Sequence, residues 1–286
     1  MFHLIQILKV FMLKEYMNTK NLDNVKIIDL YINHKMSGIE ISKVLNVHYC
    51  TVYRHIKKLN KTKEMSLAKR KYNINDNYFS LIDSEDKAYF LGFLYADGYN
   101  NTKKHEVSIT LQPRDVEILN VFNLKLESNK PLRKDGIYIK LAIENKKISE
   151  DLNNLGCVKA KSHFLKFPQN LSNELIRHFI RGYFDGDGSV CITKTCSMIQ
   201  ITSNGLFLRE LQTILMKNCS LNETKLGKRH RKYDNDILTM SYGGKKQLGR
   251  IYHYLYDDST YYLARKKIKL EFAICANNHL VQPENI

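Results

Sequence analysis

The sequence predicts an α+β protein: two similar half-domains, each mixing helices with antiparallel strands, behind a small all-helical domain. Three observations carry this expectation. Helical periodicity without strands fills residues 24–60. From residue 79 onward, helical patterns interleave with short stretches of alternating apolar and polar residues. The order of those patterns then recurs, with its opening motif repeated 90 residues later. A chain of 286 residues, 43% of them hydrophobic, is long enough for about two cores. With 4 Pro and 13 Gly it is neither collagen-like nor a disordered chain.

The first 80 residues carry 14 Lys and Arg against 6 Asp and Glu, and residues 81–286 carry 31 against 23. The net charge of +16 points to a polyanionic partner, most often nucleic acid. Abundant Lys, Asn, Ile and Tyr are also what AT-rich coding DNA produces, so charge alone does not decide the matter. The six cysteines, Cys50, Cys157, Cys191, Cys196, Cys219 and Cys275, show no paired ligand spacing, which argues against zinc. No apolar run approaches the roughly 20 residues that cross a bilayer; Phe2–Leu13 is apolar but short, and it contains Lys9. The expectation is a soluble intracellular protein without a membrane partner, cytoplasmic or, if organelle-encoded, in an organelle.

Residues 24–60 read as three short helices. Val25, Ile27, Ile28 and Tyr31 mark the first, Ile39, Ile41, Val44 and Leu45 the second, and Val52, Ile56 and Leu59 the third. Asn46-Val47-His48 breaks the pattern between the last two. That grammar fits a helix-turn-helix, with Tyr49, Thr51, Arg54, Lys57 and Lys58 on the polar side of the third helix, where they suit base edges and phosphates. The stretch GIEISKVLNVHYCTVYRHIKKL resembles the helix-turn-helix of resolvase-type and related mobile-element proteins. Lys61–Lys71 has no sustained period and reads as a basic linker.

In the first half-domain a helix ends near Gly98, and Val107, Ile109 and Leu111 then alternate with Ser108, Thr110 and Gln112 as a half-buried strand. A helix over 114–126 follows. Next comes a hairpin tipped by Asp135-Gly136, with Ile137, Ile139, Leu141 and Ile143 alternating behind it, and a helix over 146–156. In the second half-domain a helix ends near Gly188, strands fill 189–195 and 198–203, and a helix covers 205–217. A long hairpin then spans 223–242, and helices cover 245–256 and about 262–275. The order αββαββα thus occurs twice.

The helices that open the two halves end in AYFLGFLYADG (Ala88–Gly98) and HFIRGYFDGDG (His178–Gly188). Gly92 and Ala96 in one, and Gly182 and Gly186 in the other, are four residues apart and share a face, so small residues line a surface where two backbones can approach. If the helices pack through those faces, Asp97 and Asp187 emerge together at the same end. Two carboxylates at the negative ends of two helix dipoles repel each other, and a divalent cation with a taste for hard oxygen ligands relieves the repulsion. The chemistry implied is magnesium-assisted phosphodiester hydrolysis, with manganese an acceptable substitute. A lone Asp-Gly is also an ordinary helix terminus, but two copies in one structural context weigh against that reading.

These motifs, in order over roughly residues 79–286, resemble those of two-repeat LAGLIDADG homing endonucleases, and the lead-in NYFSLIDSEDKAYFLGFLYADGY is similar to members with an N-terminal helix-turn-helix. The resemblance implies two pseudo-symmetric LAGLIDADG half-domains with curved antiparallel sheets facing a DNA major groove. It implies metal binding by Asp97 and Asp187 with the carbonyls of Ala96 and Gly186, and cleavage of both strands with 3′ overhangs at a long asymmetric site. It also carries a basic catalytic residue to Lys161 in GCVKAKSHFLKFP and to Lys266 in YYLARKKIKL. Tyr95 departs from the pattern by replacing the first acid of the first motif, an acid that many active relatives also lack.

Double-stranded DNA is thus the expected partner of a monomer that needs no obligate protein partner. The outward residues of the strands are the candidate contacts: Ser108, Thr110, Gln112, Arg133, Lys134, Tyr138 and Lys140 in the first half, and Thr193, Thr195, Gln200, Thr202, Thr239 and Ser241 in the second. Lys225, Lys228, Arg229, Arg231 and Lys232 add positive density suited to phosphates. The expected domains are an extension over 1–20, the helix-turn-helix over 21–62, a basic linker over 63–78, and repeats over 79–168 and 169–286. Two other uses of this scaffold stay open: a transcriptional regulator on an inactive nuclease fold, and an intron maturase.

Overall fold

The computed structural model describes residues 24–34, 36–58, 71–158, 165–169, 171–193, 195–228 and 237–275. The chain divides into two units, residues 1–71 and 72–286. In the first, α1 (Asn24–Ile32), α2 (Gly38–Val44) and α3 (Tyr49–Lys58) close around Ile27, Leu30, Tyr31, Ile41, Val52 and Ile56. Ser37 starts α2 with a reciprocal cap: its hydroxyl accepts from the Glu40 N–H at 3.3 Å, and the Glu40 carboxylate accepts from the Ser37 N–H at 2.7 Å. Asn46 takes a left-handed φ of 50° between α2 and α3 and stops the helix there. Val25 and Ile39, expected on the apolar faces, are exposed. Each lies in the first turn of a short helix, where too little of the neighbouring helices remains to cover it.

The second unit repeats one layout. Its first half runs α4 (Glu85–Asp97), β1 (Gly98–Asn101), β2 (Glu106–Leu111), a 3-10 turn (Pro113–Asp115), α5 (Val116–Lys125), β3 (Arg133–Asp135), β4 (Tyr138–Glu144) and α6 (Lys146–Asn154). Its second half runs α7 (Asn173–Asp187), β5 (Ser189–Ile192), β6 (Ser197–Asn204), α8 (Gly205–Cys219), β7 (Gly227–Lys228), β8 (Ile237–Gly243) and α9 (Lys245–Tyr256), and α10 (Ala264–Cys275) follows. Each half builds one antiparallel four-stranded sheet, in the orders β1-β2-β4-β3 and β5-β6-β8-β7. With ten α-helices among the described residues, the protein is of mixed α+β class.

The apolar residues of one strand parity, Val107, Ile109, Leu111, Leu141 and Ile143 in the first sheet and Ile199, Ile201, Met240 and Tyr242 in the second, enter a single core shared by both halves. Gly136 supplies the left-handed residue (φ 63°) of the two-residue turn between β3 and β4. Ile137, expected to be the first inward residue of that hairpin, sits in the turn instead and is exposed.

The closest element packing is α4 against α7. Alternate faces of an isolated amphipathic helix would differ in burial, but Ala88–Tyr95 and His178–Asp185 are buried on every side. The glycines make this possible. A Cβ on Gly92 would fall on the carbonyl oxygen of Phe179, and one on Gly182 on the carbonyl oxygen of Tyr89. A Cβ on Gly186 would overlap that of Ala96.

A buried polar cluster fixes the other end of this pair. The Arg181 guanidinium, fully buried, donates to Glu85 Oε1 (2.6 Å), to the Leu255 carbonyl (2.9 Å) and to the Tyr261 carbonyl (2.7 Å). Glu85 also accepts from the Thr260 N–H at 2.8 Å. Partial burial pushes the Glu85 carboxyl up, but that N–H and the Arg181 charge outweigh it and hold the group below its usual range. His178 lies beside them, 8% exposed, with Nδ1 at 3.7 Å from Glu85. Burial first, then Arg181 and Arg177, pull its imidazole down to about 4, against the opposing pull of Glu85.

Two outcomes are expected of this packing. Gly182→Ala forces the helix pair apart and lowers unfolding free energy by about 3 kcal/mol or more, read by urea denaturation. His178 has a folded pKa below its unfolded value, so its contribution is complete above about pH 6.5 and is lost as pH falls toward 4. His178→Gln therefore flattens the decline of stability over that window, seen by comparing the two proteins' urea midpoints at pH 7.5, 5.5 and 4.5.

Candidate functional site

Asp97 and Asp187 are the last residues of α4 and α7, and both are exposed. The glycines after them are not left-handed helix caps. Gly98 and Gly188 are extended, with φ of −79° and −69°, and each returns its N–H to the carbonyl four residues back, Leu94 and Phe184. Glycine is needed there for room: a Cβ on Gly98 would lie 2.5 Å from the Leu94 oxygen, and one on Gly188 would run into the Phe184 ring. The chain thus leaves each helix straight into the first strand of its sheet, with the acid at the corner.

The close approach of the helices brings the acids' surroundings together. Asp97 Oδ2 lies 3.2 Å from the position a Cβ on Gly186 would occupy, beside the residue that precedes Asp187. Tyr183, buried behind them, donates to Ser203 Oγ at 3.0 Å and also pairs with Asp187. Burial raises its phenol far above the usual range, and the charges of both Asp187 and Asp97 add to that.

Lys266 on α10 is not a surface lysine. It is 7% exposed, and its ammonium donates to the Gly188 carbonyl and, at 3.4 Å, to that of Phe184. Burial, then the neighbouring Arg265, draw it down to about 8, while Asp185, Asp97 and Asp187 pull the other way. Lys161 lies outside the described residues.

The residue two before each acid differs between the halves. Tyr95 is buried and donates to the Leu155 carbonyl. Its counterpart Asp185 is buried too, and accepts from the hydroxyls of Tyr256 (2.7 Å) and Tyr89 (2.9 Å) and from the Leu263 N–H (2.7 Å). Burial pushes Asp185 up to about 6 in spite of those three donors. Asp185, Arg181 and Tyr183 lie inside the second motif, but sequence reasoning assigned them nothing. The visible signal was an arginine and an acid on helix positions that the packing of small residues required to be buried.

The donors available for a metal are the Asp97 and Asp187 carboxylates together with main-chain carbonyls of the last helical turns, where Ala96 and Gly186 sit. Among the described residues, no group of three or more His, Cys, Asp or Glu side chains could hold a metal ion. A donor set of two carboxylates and carbonyls fits magnesium, which keeps waters and takes substrate phosphates as further ligands; it does not fit zinc.

The sheet faces are only partly as expected. In the first half the register sets Tyr99, Ser108, Thr110, Tyr138, Lys140 and Arg133 on one face. Thr110, Arg133 and Tyr138 are exposed there, and half-buried Lys140 pairs with Glu106 at 3.3 Å. Ser108, expected to be exposed, is buried: it sits mid-sheet between Tyr99 and Ala142, and a side chain that small is sheltered by both neighbours. Gln112 is exposed but lies past the end of β2, at the start of the 3-10 turn. Lys134 pairs with Ile139 and therefore belongs to the opposite face.

In the second half Gln200, Thr202, Thr239 and Ser241 share a face and are already joined across strands. Gln200 Nε2 donates to Ser241 Oγ at 3.2 Å, and the hydroxyls of Thr202 and Thr239 are 3.0 Å apart. Thr193 and Thr195, expected in a strand, occupy the turn between β5 and β6, because the Thr193 N–H and hydroxyl both bond the Cys196 carbonyl at 2.8 Å and end the strand at Ile192. Lys225 is exposed ahead of β7, and Lys228 pairs with Leu238, on the opposite parity to Thr239. Arg229, Arg231 and Lys232 lie outside the described residues.

In the first unit, Tyr49, Arg54 and Lys57 of α3 are exposed and Thr51 is half-buried, while the Lys58 side chain lies outside the described set. The rings of Tyr49 and Tyr53 lie 6.0 Å apart.

Among the described residues, no helix is long and apolar enough to cross a membrane. A family model for a LAGLIDADG-like domain matches residues 174–255, which run from the start of α7 to the end of α9. The chain is 27% identical over 196 residues, 62% of its length, to DNA-directed RNA polymerase subunit Rpo1C of Methanocaldococcus jannaschii, and it spans about a fifth of that relative's length (22%). Among solved structures it is similar to the I-SmaMI LAGLIDADG homing endonuclease bound to cleaved DNA (14% identity, 67% of this chain and 88% of that one, TM-score 0.46). It is also similar to the LAGLIDADG meganuclease I-AabMI bound to uncleaved DNA (16%, 64% and 87%, 0.45). A further similar structure is the I-LtrWI LAGLIDADG homing endonuclease bound to target DNA (10%, 69% and 88%, 0.44). Residues 174–255 are thus similar to a LAGLIDADG-like domain, and they lie within a fold of two antiparallel four-stranded sheets.

Proposed function

We propose that this protein is a site-specific, magnesium-dependent double-strand DNA endonuclease of the two-repeat LAGLIDADG type, acting as a monomer and carrying an N-terminal helix-turn-helix. One observation carries the reading: an exposed carboxylate ends each of two helices that meet backbone to backbone at Gly92 and Gly182, one helix from each half. Acids from opposite halves at one place suit a reaction on two strands of one duplex. When bound there, magnesium, or manganese in its place, supplies Lewis-acid stabilisation of phosphodiester charge and acidifies water.

The remaining roles fall to the chain itself. Asp97 and Asp187, with the helix-end carbonyls at Ala96 and Gly186, hold the cation, and Tyr183 orients Asp187. Thr110, Arg133, Tyr138 and Lys140 in one sheet and Gln200, Thr202, Thr239 and Ser241 in the other meet base edges and phosphates. The two sets differ, so the target is asymmetric. Arg54 and Lys57 of α3, with Tyr49 and Thr51, lengthen the footprint, and neutralising several phosphates makes binding steeply salt-dependent.

The target is obtained by selecting cut sequences from a randomised library. On it, Asp97→Asn and Asp187→Asn each lower cleavage by about two to three orders of magnitude while DNA binding, followed by gel shift, survives. Cleavage at the parent rate by either variant in magnesium ends the assignment. Binding by the parent protein without any nicking points to a regulator, and stimulation of intron splicing points to a maturase.

A further inference from the structure

The charged contacts between the two halves are sorted by sign. Aligning Gly92 with Gly182 makes Leu175 the counterpart of Glu85, Phe179 that of Tyr89, Arg181 that of Leu91 and Asp185 that of Tyr95. The Glu85 carboxylate of α4 accepts from three groups of the other half: the Arg181 guanidinium at 2.6 Å and the N–H groups of Thr260 at 2.8 Å and Tyr261 at 3.3 Å. Asp185 of α7 accepts from the Tyr89 hydroxyl of α4 at 2.9 Å. A further charged contact crosses the same boundary. Asp115 and Asn204 start the equivalent helices α5 and α8. Asn204 caps α8 in the usual way, accepting from the Phe207 N–H at 3.0 Å. Asp115 makes no such cap. It is 6% exposed and turns to Arg265 of α10, whose Nε donates to its two carboxylate oxygens at 2.8 and 3.0 Å. In both ion pairs the first half supplies the acid, and the second half, with the helix that follows it, supplies the guanidinium.

We infer that this boundary is a recognition surface whose partner is a half of the opposite kind, and that it rejects a copy of itself. Backbone fit does not make the choice, because both helices carry a glycine at the crossing and a like pair could approach through the same bare faces. The polar side chains do. Two second halves crossed in the same way would set Arg181 against Leu175 and Asp185 against Phe179, and two buried guanidiniums would lack a counter-charge. Two first halves would set Glu85 against Leu91 and strip it of Arg181 and of both N–H donors. A buried charge that loses its partner is strongly unfavourable, and each like pair incurs that loss twice. Glycine packing thus supplies the affinity and the charges supply the selection. Two assemblies satisfy the surface: one chain closed on itself, and two chains that exchange halves reciprocally. The selection follows from these contacts and does not depend on what Asp97 and Asp187 bind.

The test starts from the whole folded chain carrying a protease site within residues 159–164, between α6 and α7, and cleaved after purification. Tagged and untagged cleaved proteins are mixed, unfolded in urea, refolded together and captured on the tag, and the captured fragments are counted by mass spectrometry. With the tag on the first half, second halves are recovered in equal amount and untagged first halves at less than about a tenth of that; a tag on the second half gives the mirror result. Like halves captured as readily as unlike ones overturn the inference, and so does failure of the fragments to re-form a complex. Two variants show that charge makes the selection. Arg181→Met with Asp185→Asn removes the α7 charges, and the capture of like second halves rises about tenfold. Asp115→Arg with Arg265→Asp reverses the outer pair without touching the helix crossing. Mixed with the parent, each of its halves takes its partner from its own preparation about tenfold over the parent's. Parent-like sorting by every variant that folds, as checked by circular dichroism, assigns the selection to packing alone and overturns the inference.

Discussion

Everything in the larger unit depends on the contact between two backbones, where Gly92 meets the Phe179 carbonyl and Gly182 the Tyr89 carbonyl. Helices whose side chains interdigitate normally keep their axes about 8–10 Å apart; deleting the side chain at the crossing removes that spacing. The consequence is chemical as much as mechanical. The distance between the two halves of the core also sets how near Asp97 comes to Gly186, so the stability of the fold and the geometry of the acid pair are one constraint. The Arg181–Glu85 ion pair secures the opposite end of the same helices and fixes their rotation, because the guanidinium reaches three elements at once.

The helices, most strands and the doubled layout could be read from periodicity, because they depend on neighbours within a few residues. The glycine spacing was equally legible, since small residues four apart on two separate helices give each helix a bare face that only another backbone can fill. What periodicity missed depended on partners far along the chain. Arg181 pairs with Glu85, 96 residues earlier, and Asp185 with Tyr256, 71 later. The shelter of Ser108 comes from Tyr99 and Ala142, on two different strands. Thr193 ends its strand through a local side-chain bond that a run of β-formers conceals. Periodicity alone leaves Lys266 one of several lysines in a basic helix; the resemblance singled it out, and the packing of α10 shows that it is turned inward.

The halves solve the same problem differently at the position two before each acid. Tyr95 closes its site with a single bond to the Leu155 carbonyl, whereas Asp185 gathers two tyrosine hydroxyls and an amide. The second arrangement ties α7 to α4 through Tyr89, to α9 through Tyr256, and to the segment before α10 through Leu263. A buried carboxylate is an expensive fastener unless fully satisfied, and three donors satisfy this one. The second half is therefore anchored more heavily at that end.

The hydrogen bonds that join Gln200 to Ser241 and Thr202 to Thr239 give the second sheet a grammar of couplets. A side chain whose amide or hydroxyl is already engaged by its neighbour offers a ligand only the lone pairs and protons that remain, in an orientation the neighbour dictates. Exchanging one member rewrites what the other can offer, so altered preferences on this face arise from double replacements that single replacements do not foretell. On the first sheet, where Thr110, Arg133 and Tyr138 have no such tie in common, changes combine more nearly independently. Two halves of one architecture would then drift toward new sequences at different tempos.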